Sequence, residues 1–304
     1  MAGNPARVDV RVDVRKTYKL YIGGKFPRSE SGRTYEVRSA SGAFLANAAL
    51  ASRKDARDAV GAALKAQPGW AAATAYNRGQ VLYRVAEVLE GRREQFVAEV
   101  ADAEGVAREA ASALVDAAID RWVWYAGWSD KIAQVAGNAN PVAGPYFNLS
   151  VPEPTGVVAV LAPHASSLLG LVSVVAPVIV SGNTCVVLTS QERPLPAITL
   201  TEVLATSDVP GGVVNVLTGA TAEVGPWLAS HEAVRALDLA GATSLDWGAL
   251  EAAAAPTLTR VLRPAGERPS TEPAVEPDWT QPPPGPARIV AFTETKTVWH
   301  PKGR

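Results

Sequence analysis

From Pro154 to Gln191 the chain carries no Asp, Glu, Lys or Arg. Such a run must be buried on all sides, either in a membrane or inside a protein. Ser166 to Gly182 is long enough to raise the membrane question, but Pro163, Pro177, Gly182 and Asn183 interrupt the region and no Lys or Arg cluster flanks it. The pattern through and beyond this run decides for burial in protein. Strand patterns at Val157–Leu161, Thr184–Leu188, Val213–Thr218 and Ala236–Leu239 alternate with helix patterns near Leu168–Ile179, Ala197–Ala205, Ala222–Ser230 and Leu245–Ala254. This βαβα order predicts an α/β fold, a doubly wound parallel sheet covered on both faces. No G-x-G-x-x-G opens any of these helices, so an ordinary dinucleotide fingerprint is not indicated.

Upstream, Val8, Val10, Val12 and Val14 alternate with charged residues, the pattern of an exposed strand or of an unstructured arm. Tyr18 to Phe26, with Gly23-Gly24 inside, reads as a short hairpin, and Tyr35 to Arg38 as a strand. Ser52 with Asp55 three residues on is a capping-box start to a helix, which Pro68-Gly69 should end. Tyr76 to Glu104 and Glu109 to Ile132 are long helical patterns. The second carries Trp122, Trp124, Tyr125 and Trp128, an aromatic stripe that reads as core or interface. Tyr146 to Val151 alternates as a strand. Pro264 to Arg288 holds eight prolines and reads as an extended linker. Arg288 to His300 is a strand by propensity.

At 304 residues, with 47% apolar and 19% charged residues, the chain has room for about two ordinary domains. A net charge of −1 gives no electrostatic case for nucleic acid or an anionic membrane. The single cysteine, Cys185, excludes an intrachain disulfide and a cysteine metal cluster and fits a cytoplasmic home. The first fifteen residues hold no apolar signal region.

Lys19-Leu-Tyr-Ile-Gly-Gly-Lys-Phe, Glu153-Pro-Thr-Gly-Val-Val, Ser181-Gly-Asn-Thr-Cys-Val-Val-Leu and Pro210-Gly-Gly-Val-Val-Asn-Val are similar, in order and spacing, to strings of the aldehyde dehydrogenases. Phe292-Thr-Glu-Thr-Lys-Thr-Val resembles that family's terminal oligomerisation strand. The resemblance runs from about Tyr18 to Arg260 and resumes near Ile289. It implies an arm at 1–17; a cofactor-binding domain at 18–137 and 155–263, including an N-terminal helical region; a small β oligomerisation unit at 138–154 and 288–304; and a Pro-rich linker at 264–287. That linker stands where the family has its catalytic domain, which is expected to be absent. The chain resembles the silent second module of tandem two-module members.

The chemistry of the family needs a thiolate nucleophile, an oxyanion donor and a base. Cys185 lies in an apolar strand, where it reads as a small buried hydrophobe. The family's Pro-Trp-Asn-Phe-Pro, whose Asn serves the oxyanion, is matched by Pro163-His164-Ala165-Ser166-Ser167, and Ala165 cannot donate through a side chain. His164 has no nucleophile to serve and reads as a surface or packing residue. The base position aligns with Pro264, with Glu267 nearby. No catalytic residue and no metal ligand is therefore expected. For the cofactor the resemblance implies vestigial positions at Thr189, Glu192, Gly219, Gly225 and Gly241, with Thr189 in place of the Lys that would hold a ribose. Asp246 would repel a phosphate at the following helix, and Thr243 with Asp246 forms an S/T-x-x-D capping pattern. NAD(P) binding is expected to be weak or absent. The leading expectation is a non-catalytic homologue acting as partner or scaffold subunit of a catalytically complete aldehyde dehydrogenase, through Tyr146–Val151 and Ile289–His300. The alternative is a residual NAD(P)-binding oxidoreductase-family module with a reduced catalytic or regulatory role.

Overall fold

A computed structural model describes residues 16–264, 275–283 and 285–303. The expected strand at Val8–Val14 and Glu267 lie outside the described residues. The first sheet joins β1 (Thr17–Tyr18), β2 (Thr34–Arg38) and β3 (Phe44–Ala49) in the order β1-β3-β2. The expected hairpin forms only as a tight turn of two rungs. Ile22 and Lys25 exchange backbone bonds around two left-handed glycines and the Leu20 N–H donates to the Pro27 carbonyl at 3.1 Å, while Tyr18 pairs with β3 and Tyr21 with Val216. Tyr18 and Tyr21 find their backbone partners in other segments, which keeps the hairpin short.

Five helices follow. In α1 (Arg53–Ala72) the Ser52 and Asp55 capping box forms in both directions. The helix does not stop at Pro68-Gly69 but runs through Pro68 to Ala72. Trp70 holds the last turn: its ring is buried and its Nε1 donates to the Ile179 carbonyl at 2.8 Å. The pattern over Tyr76–Glu104 resolves into α2 (Ala75–Gly91) and α3 (Arg93–Glu104), broken at Arg92. The next resolves into α4 (Arg108–Ala126) and the short α5 (Ile132–Ala136). Trp122 and Tyr125 are fully buried, and Trp124 and Trp128 pack beside them, so the aromatic stripe belongs to the core.

After β4 (Asn138–Ala139) and β5 (Tyr146–Pro154) the chain enters the parallel layer. Its elements are β6 (Val157–Leu161), α6 (Leu169–Val180), β7 (Thr184–Leu188), α7 (Leu195–Ala205), β8 (Val214–Leu217), α8 (Thr221–Ala229), β9 (Val234–Asp238), α9 (Trp247–Ala254) and β10 (Arg260–Leu262). The strand order is β10-β9-β6-β7-β8, all parallel. Alternate residues feed two cores. Val158, Val160, Cys185 and Val187 join the larger one, which holds α6, α7 and the α2–α4 layer. Val157, Leu161, Val186 and Leu188 join the other, under α1, α8 and α9. The charge-free run is therefore the doubly covered centre of a sheet, as the alternation requires. Among the described residues no helix is long and apolar enough to cross a membrane.

The end of the chain departs from the expectation. Arg288 to His300 is not one strand: Ala287–Val290 forms a short helix, α10, and β11 covers Thr293–Pro301. Ile289 and Phe292 are fully buried, and burying both from one segment requires the turn between helix and strand. Asn183 locks the junction, donating at 2.7 Å to the Phe292 carbonyl while accepting from the Gly156 N–H. β11 then pairs antiparallel with all of β5, from Thr293 opposite Pro154 to Pro301 opposite Tyr146. The resulting sheet has the order β11-β5-β4, so among the described residues no strand pairs with the outer edge of β11.

Candidate functional site

In an open parallel sheet, ligands enter at the carboxyl ends of the strands, where the connections part to opposite faces. Here β6 is that place, with β7 and β8 on one side and β9 and β10 on the other. A crevice of about 890 Å³ lies at these strand ends, lined among others by Glu36, Arg38, His164, Glu192, Arg193 and Thr243. A second hollow of about 550 Å³ adjoins it, sharing His164, Glu192, Arg193 and Thr243 and bounded by Glu276 and Trp279.

Of the expected cofactor positions, Glu192 lines both hollows and is exposed. Thr189 is 2% exposed, its hydroxyl donates to the neighbouring Ser190 carbonyl at 3.2 Å, and it does not line the crevice. The glycines serve close packing. At Gly241 an added Cβ would lie 1.8 Å from the Ala162 carbonyl oxygen, because the chain leaving β9 crosses β6 and donates its N–H to Leu161 at 2.7 Å. Gly219, at a left-handed φ of +137°, lets the chain pass the backbone of Ala51. Gly225, on α8, packs against Leu161 and Leu245.

The expected Thr243-to-Asp246 capping pattern does not form. Helix α9 begins at Trp247, three residues later than a Thr243 cap would place it. Asp246 is itself the N-cap, accepting from the Ala249 N–H at 3.2 Å. Thr243 sits in the preceding turn, on the crevice wall. Asp246 thereby fills one of the donor positions an incoming phosphate would use.

The positions matched to catalysis do not converge. Cys185 is fully buried at the centre of the sheet, and burial pushes its thiol far above the usual range. Ala165 offers the crevice only backbone: its N–H meets the Glu276 carboxylate at 3.1 Å and its carbonyl accepts from Arg193 at 2.6 Å. His164 lies half-exposed beside it, its own N–H also donating to Glu276. Two residues on, Ser167 gives both its N–H and its hydroxyl to Glu104, at 2.6 and 2.7 Å. Pattern reading missed Glu276, Glu104 and Arg193. A lone Trp between Glu276 and Gln281, inside a proline-rich run, is the one signal that this run docks. Among the described residues no group of three or more His, Cys, Asp or Glu side chains is placed to hold a metal ion.

The aldehyde dehydrogenase family model matches residues 26–266. The chain belongs to the aldehyde dehydrogenase family. It is 34% identical over 240 residues to the cytosolic 10-formyltetrahydrofolate dehydrogenase of Pongo abelii, covering 76% of this chain and 26% of that protein. With the putative aldehyde dehydrogenase DhaS of Bacillus subtilis it shares 31% identity over 258 residues, covering 84% of this chain and 52% of that one. Among solved structures, HpcC from Thermus thermophilus superposes with a TM-score of 0.77 at 28% identity, covering 83% of this chain and 48% of HpcC. The NAD+ complex of a Bacillus cereus aldehyde dehydrogenase gives a TM-score of 0.76 at 25% identity, with 82% and 50% covered. The aldehyde dehydrogenase fold is therefore present over most of the chain, while the chain spans at most about half the length of these relatives.

Proposed function

We propose that the chain is a non-catalytic member of its family that works as partner or scaffold subunit of a catalytically complete aldehyde dehydrogenase. The observation that carries this reading is the β4–β5–β11 sheet. Residues directly opposite in an antiparallel pair share a face. Phe147, Leu149 and Val151 therefore stand on one face with Val298, each between 38% and 55% exposed. Tyr146 and Trp299 stand on the other, their rings in edge contact. Among the described residues no strand pairs with the outer edge of β11, although Arg260 donates to the Thr293 carbonyl at its start. A long edge strand beside an exposed apolar face favours strand addition by a second chain.

Silence at the crevice belongs to the same reading. Cys185 is out of reach, Ala165 has no side-chain donor, and a base position taken by Pro264 cannot accept a proton. Weak or absent NAD(P) binding is expected from the buried Thr189 and from Asp246 capping α9.

The test is co-expression with a full-length aldehyde dehydrogenase of the same genome, followed by size exclusion with light scattering. A stable mixed complex is expected, lost on Leu149→Glu with Val298→Glu while the circular dichroism stays that of the parent. A chain that elutes alone, or a double variant that binds as well as the parent, defeats the reading.

A further inference from the structure

Proline content predicts a stiff spacer between the last helix and strand. Residues 275–283 of that stretch are instead fastened at three places. The first is Trp279, buried in the larger core with 9% of its surface left, the Arg288 guanidinium lying over its ring at 5.5 Å. The second is Arg121 of α4, itself buried, which donates Nη2 to the carbonyls of Trp279 at 3.1 Å and Gln281 at 3.0 Å while Nη1 holds Ser173 at 2.6 Å. Between these, Asp278 folds a turn by accepting from the Thr280 N–H at 3.0 Å and hydroxyl at 2.6 Å. The third is Glu276, whose carboxylate takes the N–H groups of both His164 and Ala165.

That third contact is chemically unlike the other two. Trp279 and Arg121 anchor the segment; Glu276 reaches past them into the loop between β6 and α6. This loop directs successive backbone donors toward the crevice, and Glu104 serves the remaining one at Ser167. Consecutive N–H groups facing one hollow are anion binders. The carboxylate is delivered by a chain already pinned one turn away. Its effective concentration is then in the millimolar range or above.

We propose that residues 275–283 form an autoinhibitory strap, with Glu276 standing on the His164 and Ala165 amides in place of an anionic ligand and keeping the crevice closed to one. The strap acts on the isolated chain, whether or not a partner binds at β11. Its failure and that of the partner reading are therefore separate results.

Hydrogen exchange on the full chain tests this. In Glu276→Ala the His164 and Ala165 amides should exchange at least tenfold faster than in the parent, while Ser167, held by Glu104, should not change. Inorganic pyrophosphate should restore their protection in the variant and leave the parent unaffected. Trp279→Phe, which keeps the core filled but loosens the anchor, should fall between the two. Equal exchange in parent and Glu276→Ala would overturn the proposal. So would a loss of protection that pyrophosphate does not reverse.

Discussion

Arg288 donates to the carboxylate of Asp238, a residue with no exposed surface at the end of β9, and so ties the helix before the terminal strand to the central sheet. The other Asp238 oxygen accepts from the Ala240 N–H at 3.0 Å. Arg288→Met strands a buried carboxylate. Removing one member of a buried pair costs about 3–5 kcal/mol. Arg288 keeps part of its surface in water and Asp238 can take up a proton, so about 2–3 kcal/mol is expected near neutral pH.

The pH dependence of that variant has a defined direction. Burial raises the Asp238 carboxyl, and Arg288 with the Ala240 N–H only partly opposes this. A group raised on folding contributes stability below its unfolded pKa, and loses that contribution as pH rises through the folded one. Without Arg288 the folded value rises further. Urea midpoints should therefore show a larger deficit for Arg288→Met at about pH 7.5 than at about pH 5, and Asp238→Asn in the same chain should recover most of it. A deficit that grows on acidification would contradict the burial argument.

The parallel layer was legible because its signal is local and dense. Val157–Leu161 and Thr184–Leu188 are strands with the bounds the sequence suggests, and Ser52 with Asp55 caps α1 as its spacing implies. Errors arose where tertiary contact overrides a local rule. Pro68 removes one helical hydrogen bond, yet Trp70 beneath Ile179 carries α1 onward. Phe44–Ala49 reads Phe-Leu-Ala-Asn-Ala-Ala, without β-branched residues, and becomes a strand only because β1 and β2 flank it. The crevice was the least legible part, since Glu276 meets His164 across 112 positions of sequence. Proline content reports that a segment is extended, and says nothing of whether its one tryptophan finds a pocket.

The isolated protein should show no aldehyde oxidation, and Cys185→Ala should change nothing catalytic. Its cost should be structural. Deleting one buried heavy atom from a packed strand amounts to about 0.5–1.5 kcal/mol, readable as a shift in the urea midpoint. The native thiol should also resist alkylation until the chain unfolds, because burial disfavours its thiolate. NADH formation from an aldehyde, lost on Cys185→Ala, would reverse this expectation.

Calorimetry with NAD should give weak or no binding. One lost charge-assisted contact is worth about 1.5–3 kcal/mol, tenfold or more in affinity. Asp246→Gly should improve binding by freeing the Ala249 N–H, at a stability loss of about a few tenths of a kcal/mol from the weakened α9 cap. Adding Glu276→Ala should improve it again if the strap competes for the same crevice. Micromolar binding by the parent chain would refute the first expectation.

The terminal segment separates stability from association, because its inward and outward residues do different work. Phe292 is fully buried, and its carbonyl accepts from Thr155 at 3.2 Å and Asn183 at 2.7 Å. Phe292→Ala should cost about 3–5 kcal/mol, the range for a large buried aromatic. Trp299, 59% exposed, lies on β11 beyond any core contact, and Trp299→Ala should stay within about 0.5 kcal/mol of the parent. Truncation repeats the contrast. Cutting before Ile289 removes two core side chains and should leave an unstable protein. Cutting after Phe292 keeps both, removes only β11, and should leave the parallel layer folded with its cooperative urea transition intact. If the shorter cut unfolds the domain as thoroughly as the longer one, then β11 belongs to the folding core, and its exposed face is no evidence of a surface kept for another chain.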